Sequence, residues 1–276
     1  MLHILYKILA AVILVVLFAV ALGGASQHSK WGISTIKVSG VQVVAEEEVR
    51  LLIRTLLEGN YYFLYARDNS FIFPRREIET QILETFPRIK SVSIRREGAH
   101  TIVIDVAERK PFMLWCGETF EGEMPTLAEC WFIDDQGFVF SHAPIFSEGV
   151  YREIYAPLIY RNEGTPLHAA IPSSRFLFAY SLVDGIERGV GDIARGFIKP
   201  EGQYGVVVRA NELYPELIDA ELYFKDGQGA ERLMYNILSA LPVQFPPDTI
   251  SEKKLLYIDL RFGNKVFFGF EEGAQR

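Results

Sequence analysis

Imidazole can carry a proton or bind a metal, so the five histidines are the first residues to weigh. His3, His28, His100, His142 and His168 are scattered, and no two stand at metal-ligand spacing. The chain has neither a G-x-S-x-G elbow for a nucleophilic serine nor a G-x-x-x-x-G-K-[ST] loop for phosphates. Asp134 and Asp135 could be a pair of catalytic carboxylates. They stand in Asp134-Asp135-Gln136-Gly137 between two apolar runs, which is the chemistry of a hairpin turn. Two cysteines, Cys116 and Cys130, are too few for a four-thiolate zinc site or a disulfide scaffold. Asp259 and Arg261 are two apart in an apolar run, so on a strand both point to one face. As an exposed ion pair they would be worth little. No catalytic, cofactor or metal site assembles from these residues, and the expectation is a protein that is not an enzyme and carries no cofactor.

The charge balance narrows the partners. Among 276 residues, 28 Lys plus Arg face 35 Asp plus Glu, a net charge of −7. An acidic chain without a basic run lacks the surface that nucleic acid requires, and no small-molecule site is apparent. With 49% hydrophobic and 23% charged residues, the bulk of the chain must be globular. Residues Ile8 to Gly24 are different, because they contain no charge. As a helix they extend for about 25 Å, and Ile4 to Tyr6 would complete a bilayer span if Lys7 snorkels to the interface. A retained anchor over 8–24 is the preferred reading, which makes residues 1–7 a short tail and the lipid bilayer a partner. A cleaved signal peptide is the competing one, although Gly23 to Ser26 offer no clean A-x-A site.

After a linker at 25–32, the spacing predicts a strand over Ile33–Val38 and a helix over Ala45–Glu58, ended by Gly59-Asn60. An aromatic loop, Tyr61 to Phe73, leads to a second helix after Pro74 with Ile78, Ile82, Leu83 and Phe86 inward. Two alternating strands joined at Glu97-Gly98 close a strand-helix-helix-strand-strand unit, with both helices on one face of a small mixed sheet. From Phe112 apolar strands dominate, interrupted by helices at Ser174–Arg188 and Ala230–Leu241. The last strands are Leu255–Phe262 and Lys265–Phe270. The fold class is therefore α+β: a membrane helix, a small α/β unit, then a mostly antiparallel sheet with helices on one face.

This order resembles a POTRA module behind a membrane anchor, as in the bacterial cell-division FtsQ/DivIB family. Ile36-Lys37-Val38-Ser39-Gly40 is similar to the family's I-x-V-x-G, and the run from Pro87 to Arg96 to its P-x-I-x-x-V-x-V-x-R. Glu108-Arg109-Lys110-Pro111 with Trp115 resembles E-R-x-P-x-x-x-W, and Asp135, Gly137 and Phe140 fit D-x-G-x-x-F. Tyr257 to Val266 is similar to the closing strand pair. The resemblance covers residues 33–270 and implies a POTRA domain at 33–111, a second domain at 112–270 and a tail at 271–276. It implies an inner-membrane protein with a cytoplasmic N-terminus and extracytoplasmic domains at the division septum. Its role would be non-catalytic, recruiting and bridging division proteins of the FtsB/FtsL type. The implied partner-binding residues are Arg261, Phe262, Lys265, Val266, Phe267, Phe268 and Phe270, at a strand edge open to an incoming chain. Two other classes remain as alternatives, a POTRA-bearing secretion or outer-membrane assembly factor and an anchored extracytoplasmic hydrolase. In an oxidising compartment Cys116 and Cys130 could bridge if their strands are neighbours, and otherwise they are two buried thiols.

Overall fold

The computed structural model describes residues 2–119, 130–145, 149–161, 164–246 and 253–271. The chain divides into two compact units, residues 1–109 and 110–276.

The first unit opens with α1, Leu2–Ser26, a helix long and apolar enough to cross a membrane, its side chains mostly exposed. Strand β1 (Thr35–Ser39), helix α2 (Glu46–Leu57), the short strands β2 (Asn60–Tyr61) and β3 (Tyr65–Ala66), and helix α3 (Arg75–Thr85) follow. Strands β4 (Ile89–Glu97) and β5 (Thr101–Glu108) complete it. Strand β5 lies in the middle of a three-stranded sheet, parallel to β1 and antiparallel to β4. Val49, Ile53 and Leu57 recur every four residues along α2, and Ile78 and Ile82 stand four apart along α3. These stripes meet Ile89, Ile94, Ile102 and Ile104 in one core, each such side chain contributing roughly 1.5–3 kcal/mol relative to exposure.

Two details depart from the sequence reading. Strand β1 begins two residues later than the hydrophobic alternation, because the amides of Ser34 and Thr35 both turn to the His100 carbonyl. Leu83 points outward, because it sits one residue past Ile82 and so lies about 100° off the buried stripe of α3. Gly40 explains the end of the I-x-V-x-G stretch. Its φ is +86°, and a Cβ there would stand 1.9 Å from the Val106 carbonyl oxygen.

The second unit is built on one nine-stranded sheet. Its strands are β6 (Met113–Trp115), β7 (Trp131–Ile133), β8 (Val139–His142), β9 (Glu153–Tyr155), β10 (Asp192–Lys199) and β11 (Gln203–Ala210), then β12 (Glu221–Lys225), β13 (Leu255–Phe262) and β14 (Lys265–Phe270). The spatial order is β14-β13-β12-β11-β10-β9-β6-β7-β8. Neighbours are antiparallel except at β12–β13, β10–β9 and β6–β9. Helices α4 (Ser173–Gly189) and α5 (Ala230–Gln244) connect strands and share the main core with one face. Period-two alternation sorts the side chains. Met113, Trp115, Ile154, Val206 and Val208 join the helices, whereas Leu114, Tyr155 and Val207 form a smaller cluster on the opposite face.

Cys116 and Cys130 are joined by a disulfide with a Cα–Cα distance of 4.2 Å. They stand just beyond the paired ends of β6 and β7, where Trp115 faces Trp131. Most of the acidic loop that they enclose, including Glu121, Glu123 and Glu129, lies outside the described residues.

Candidate partner-binding edge

Strand β14 is the last strand of the sheet and pairs only with β13, so its outer side has no strand neighbour among the described residues. The hairpin between them turns at Gly263 and Asn264, and its register pairs Phe262 with Lys265, Asp259 with Phe267 and Ile258 with Phe268. Irregular pairing between Asp259 and Phe262 marks a bulge near the hairpin tip.

Alternation along β14 splits the expected binding residues into two sets. Val266, Phe268 and Phe270 turn toward the helices and pack on the main core. The Phe245 ring lies 5.9 Å from Phe268 and 6.3 Å from Phe270, both edge-on. Phe262 and Phe267 make their own edge-to-face pair at 5.3 Å and remain 58% and 47% exposed. Of the four phenylalanines, Phe262 and Phe267 are thus available to a partner, and Phe268 and Phe270 chiefly hold the edge strand down. Lys265 is exposed beside them.

Arg261 and Asp259 share one face, as their spacing requires, and are bonded within the same strand. Asp259 Oδ1 accepts the Arg261 backbone N–H at 3.0 Å and Nε–H at 2.9 Å, and Oδ2 accepts Nη2–H at 2.5 Å. Gln203 Oε1 accepts from Nη1 at 2.7 Å, and the guanidinium stands 5.1 Å over the Tyr223 ring. Burial alone would push the Asp259 carboxyl up, but the bonds and charge of Arg261 outweigh it and hold the group below its ordinary value. Burial, with the hydrogen bond to Glu221, pushes the Tyr223 phenol up, which keeps it a donor. Arg261 is therefore held by its neighbours, fixing the face from which Phe262 and Phe267 project.

Sequence periodicity did not reveal the groove beside this edge. Arg232, Tyr235, Asn236, Ser239 and Ala240 on α5 line it together with Asn264 and Val266. Asn236 Nδ2 donates to the Gly263 carbonyl at 3.0 Å, tying the helix to the hairpin turn. Tyr235 is largely exposed because it lies off the buried stripe of Leu233, Ile237 and Leu241. An aromatic residue off the stripe was the available signal.

The other chemistry-bearing residues do not converge. Asp134 Oδ1 accepts the amides of Gln136 and Phe138 at 2.9 and 3.0 Å, closing its own turn. Among the described residues, no group of three or more His, Cys, Asp or Glu side chains is placed to hold a metal ion.

Residues 32–109 match the family model described as POTRA domain, FtsQ-type. The match spans the unit built from β1 to β5. No curated protein matches the chain. The chain carries an FtsQ-type POTRA domain preceded by an apolar helix and followed by a large mixed sheet with helices.

Proposed function

We propose that this protein is a single-pass, non-catalytic scaffold of the bacterial division machinery. Helix α1 anchors it in the inner membrane with the N-terminus in the cytoplasm, and both folded units stand outside at the septum. The β14 edge receives a segment of an FtsB- or FtsL-type partner, which adds a strand beside Lys265–Phe270 and places a helix near the groove along α5. The observation that carries this reading is the open edge of β14 with Phe262 and Phe267 beside it, in a chain with an FtsQ-type POTRA domain. Backbone pairing would supply affinity, and the two rings would supply specificity.

Two variants test the edge. Val266→Pro removes an N–H from the edge strand, and Phe267→Asp puts a charge on the exposed face without touching the ladder. Both should lose most of their capture of an FtsB-type partner, and Phe267→Asp should do so while the second unit's thermal transition stays near that of the parent. Undiminished capture by both overturns the edge assignment. Depletion tests the role itself, with filamentous cells expected. Normal septa accompanied by a defect in protein export or outer-membrane assembly would favour the secretion class instead.

A further inference from the structure

The aromatic segment between α2 and α3 has no part in the edge described above, yet it holds the most exposed rings of the first unit. Strands β2 and β3 form a small hairpin with Tyr61 opposite Tyr65. Leu64 N–H closes the turn on the Tyr61 carbonyl at 2.9 Å. Tyr62 and Phe63 occupy its centre at φ +49° and +63°. A turn that needs positive φ at both central positions is ordinarily Asn-Gly, and bulky side chains there are outliers. The two rings are 85% and 95% exposed. Strain at the tip, combined with aromatic rings offered to the outside, points to a use beyond folding.

The hairpin is fastened to the end of α1 at successive depths. The Ala66 N–H donates to Ser26 Oγ at 3.2 Å, and Asn69 Nδ2 to the Ser26 carbonyl at 2.9 Å. Further along the helix, Leu64 lies against Gly23, where any Cβ would stand 3.1 Å from the Leu64 Cβ. The Tyr65 hydroxyl reaches the Ala19 carbonyl at 3.0 Å. The hairpin thus lies against the last turn of α1, from Gly23 to Gln27, and the Tyr65 side chain reaches one turn further into the apolar stretch. Ala19 lies five residues before Gly24, the end of the uncharged run, or about 7 Å along the helix axis.

The remaining exposed rings are tied to the segment that follows α1. Among the described residues of 25–109, the exposed aromatic side chains are Trp31, Tyr62, Phe63 and Phe71. Trp31 and Phe71 form an edge-to-face pair at 5.2 Å, and the Arg96 guanidinium stands 4.2 Å over Phe71. The Trp31 carbonyl accepts the Ser70 N–H, which binds this pair to the loop. Aromatic rings with a cation beside them, near the end of an apolar helix, have the composition of a membrane-interface belt.

We propose that this collar is a lipid-binding surface: the Tyr62–Phe63 tip inserts among the acyl chains beside α1, and Trp31 and Phe71 rest at the headgroup level, docking the POTRA domain on the outer face of the inner membrane. The inference rests on the reading that α1 spans that membrane. Lipid is the occupant because the hairpin is continuous with the apolar run of the anchor and is bonded to it within that run.

The test uses the full chain in vesicles of phosphatidylethanolamine and phosphatidylglycerol, with a nitroxide on one introduced cysteine. The described cysteines are paired in the disulfide, which leaves the introduced thiol free to react. Phe63→Cys and Tyr62→Cys probe the tip, Ile13→Cys the middle of α1, and Thr85→Cys the exposed end of α3. Labels at 62, 63 and 13 should collide with oxygen several-fold more readily, relative to a water-soluble nickel chelate, than the label at 85. Tip labels as open to nickel as that at 85, with 13 shielded, overturn the proposal and leave the anchor intact. Nickel access at 13 as well overturns the anchor and the proposal together. A tip shielded only after other membrane proteins are added identifies a protein occupant and also overturns it.

Discussion

The Glu108 carboxylate accepts the backbone N–H groups of Gln42, Val43 and Val44 at 2.8–3.1 Å, just before Ala45, the N-cap of α2. Ala45 has no side-chain oxygen to cap the helix, so a residue from β5 organises the approach to it. This gives a physical reason for the glutamate of the E-R-x-P stretch. Burial raises the Glu108 pKa, but the three amides and the charge of Arg88 outweigh it, and the carboxyl is held below the ordinary glutamate value of 4.5. The unfolded chain therefore binds this proton more readily than the folded one. The resulting stabilisation is complete above the ordinary value and is lost as pH falls through the lower folded value. Glu108→Gln keeps an acceptor and loses the charge, and at neutral pH it should destabilise the POTRA unit by about 1 kcal/mol. Hydrogen exchange across β4 and β5, corrected for intrinsic rates, should show the deficit at neutral pH and a narrower one under acid. A deficit that widens in acid would contradict the assigned sign.

At the scale of an element, β14 divides its side chains between a core-facing set and an exposed set. Phe268 is half-buried against Phe245 and the main core, so Phe268→Ala should cost roughly 2 kcal/mol, less than a fully buried ring. Phe267→Ala should stay within about 0.5 kcal/mol in stability and lose partner capture. Equal stability losses measured by urea denaturation would show that the two faces do not differ as described. This hairpin was legible in the sequence because Gly263-Asn264 separates two apolar runs, and the observed strands are Leu255–Phe262 and Lys265–Phe270. Which phenylalanine faces the core required the pairing register and the position of α5. Strands β6, β7 and β9 have three residues each, too short for a measurable period. The parallel pairing of β6 with β9 joins segments about forty residues apart, which no local pattern records. The aromatic loop was visible as composition. Its attachment to Gly23 and Ala19 was not, since those contacts are set by tertiary packing rather than by the neighbours of either segment.

The whole molecule contains separate hydrophobic cores. One gathers residues from Ile33 to Val106, and those of the second unit gather residues from Phe112 to Phe270. The Cys116–Cys130 bridge lies wholly in the second unit and closes a loop with a sequence separation of 14. A loop of that length confines the unfolded chain enough to stabilise the fold by about 3 kcal/mol on the chain-entropy account. For a unit of this size that corresponds to a shift of about 6–12 °C in its melting midpoint. Reduction should therefore lower the thermal transition of the sheet unit and leave that of the POTRA unit unchanged, because the bond constrains no residue of the POTRA core. Calorimetry of the full chain with and without reductant, with hydrogen exchange across β4 and β5 to identify the POTRA transition, makes the comparison. A single transition that moves as a whole would mean that the two cores unfold together. Cysteines freely alkylated in protein taken from its native envelope would remove the bridge from the argument, leaving β6 and β7 held by their ladder and by Trp115, whose Nε1–H donates to the Ala156 carbonyl at 2.8 Å.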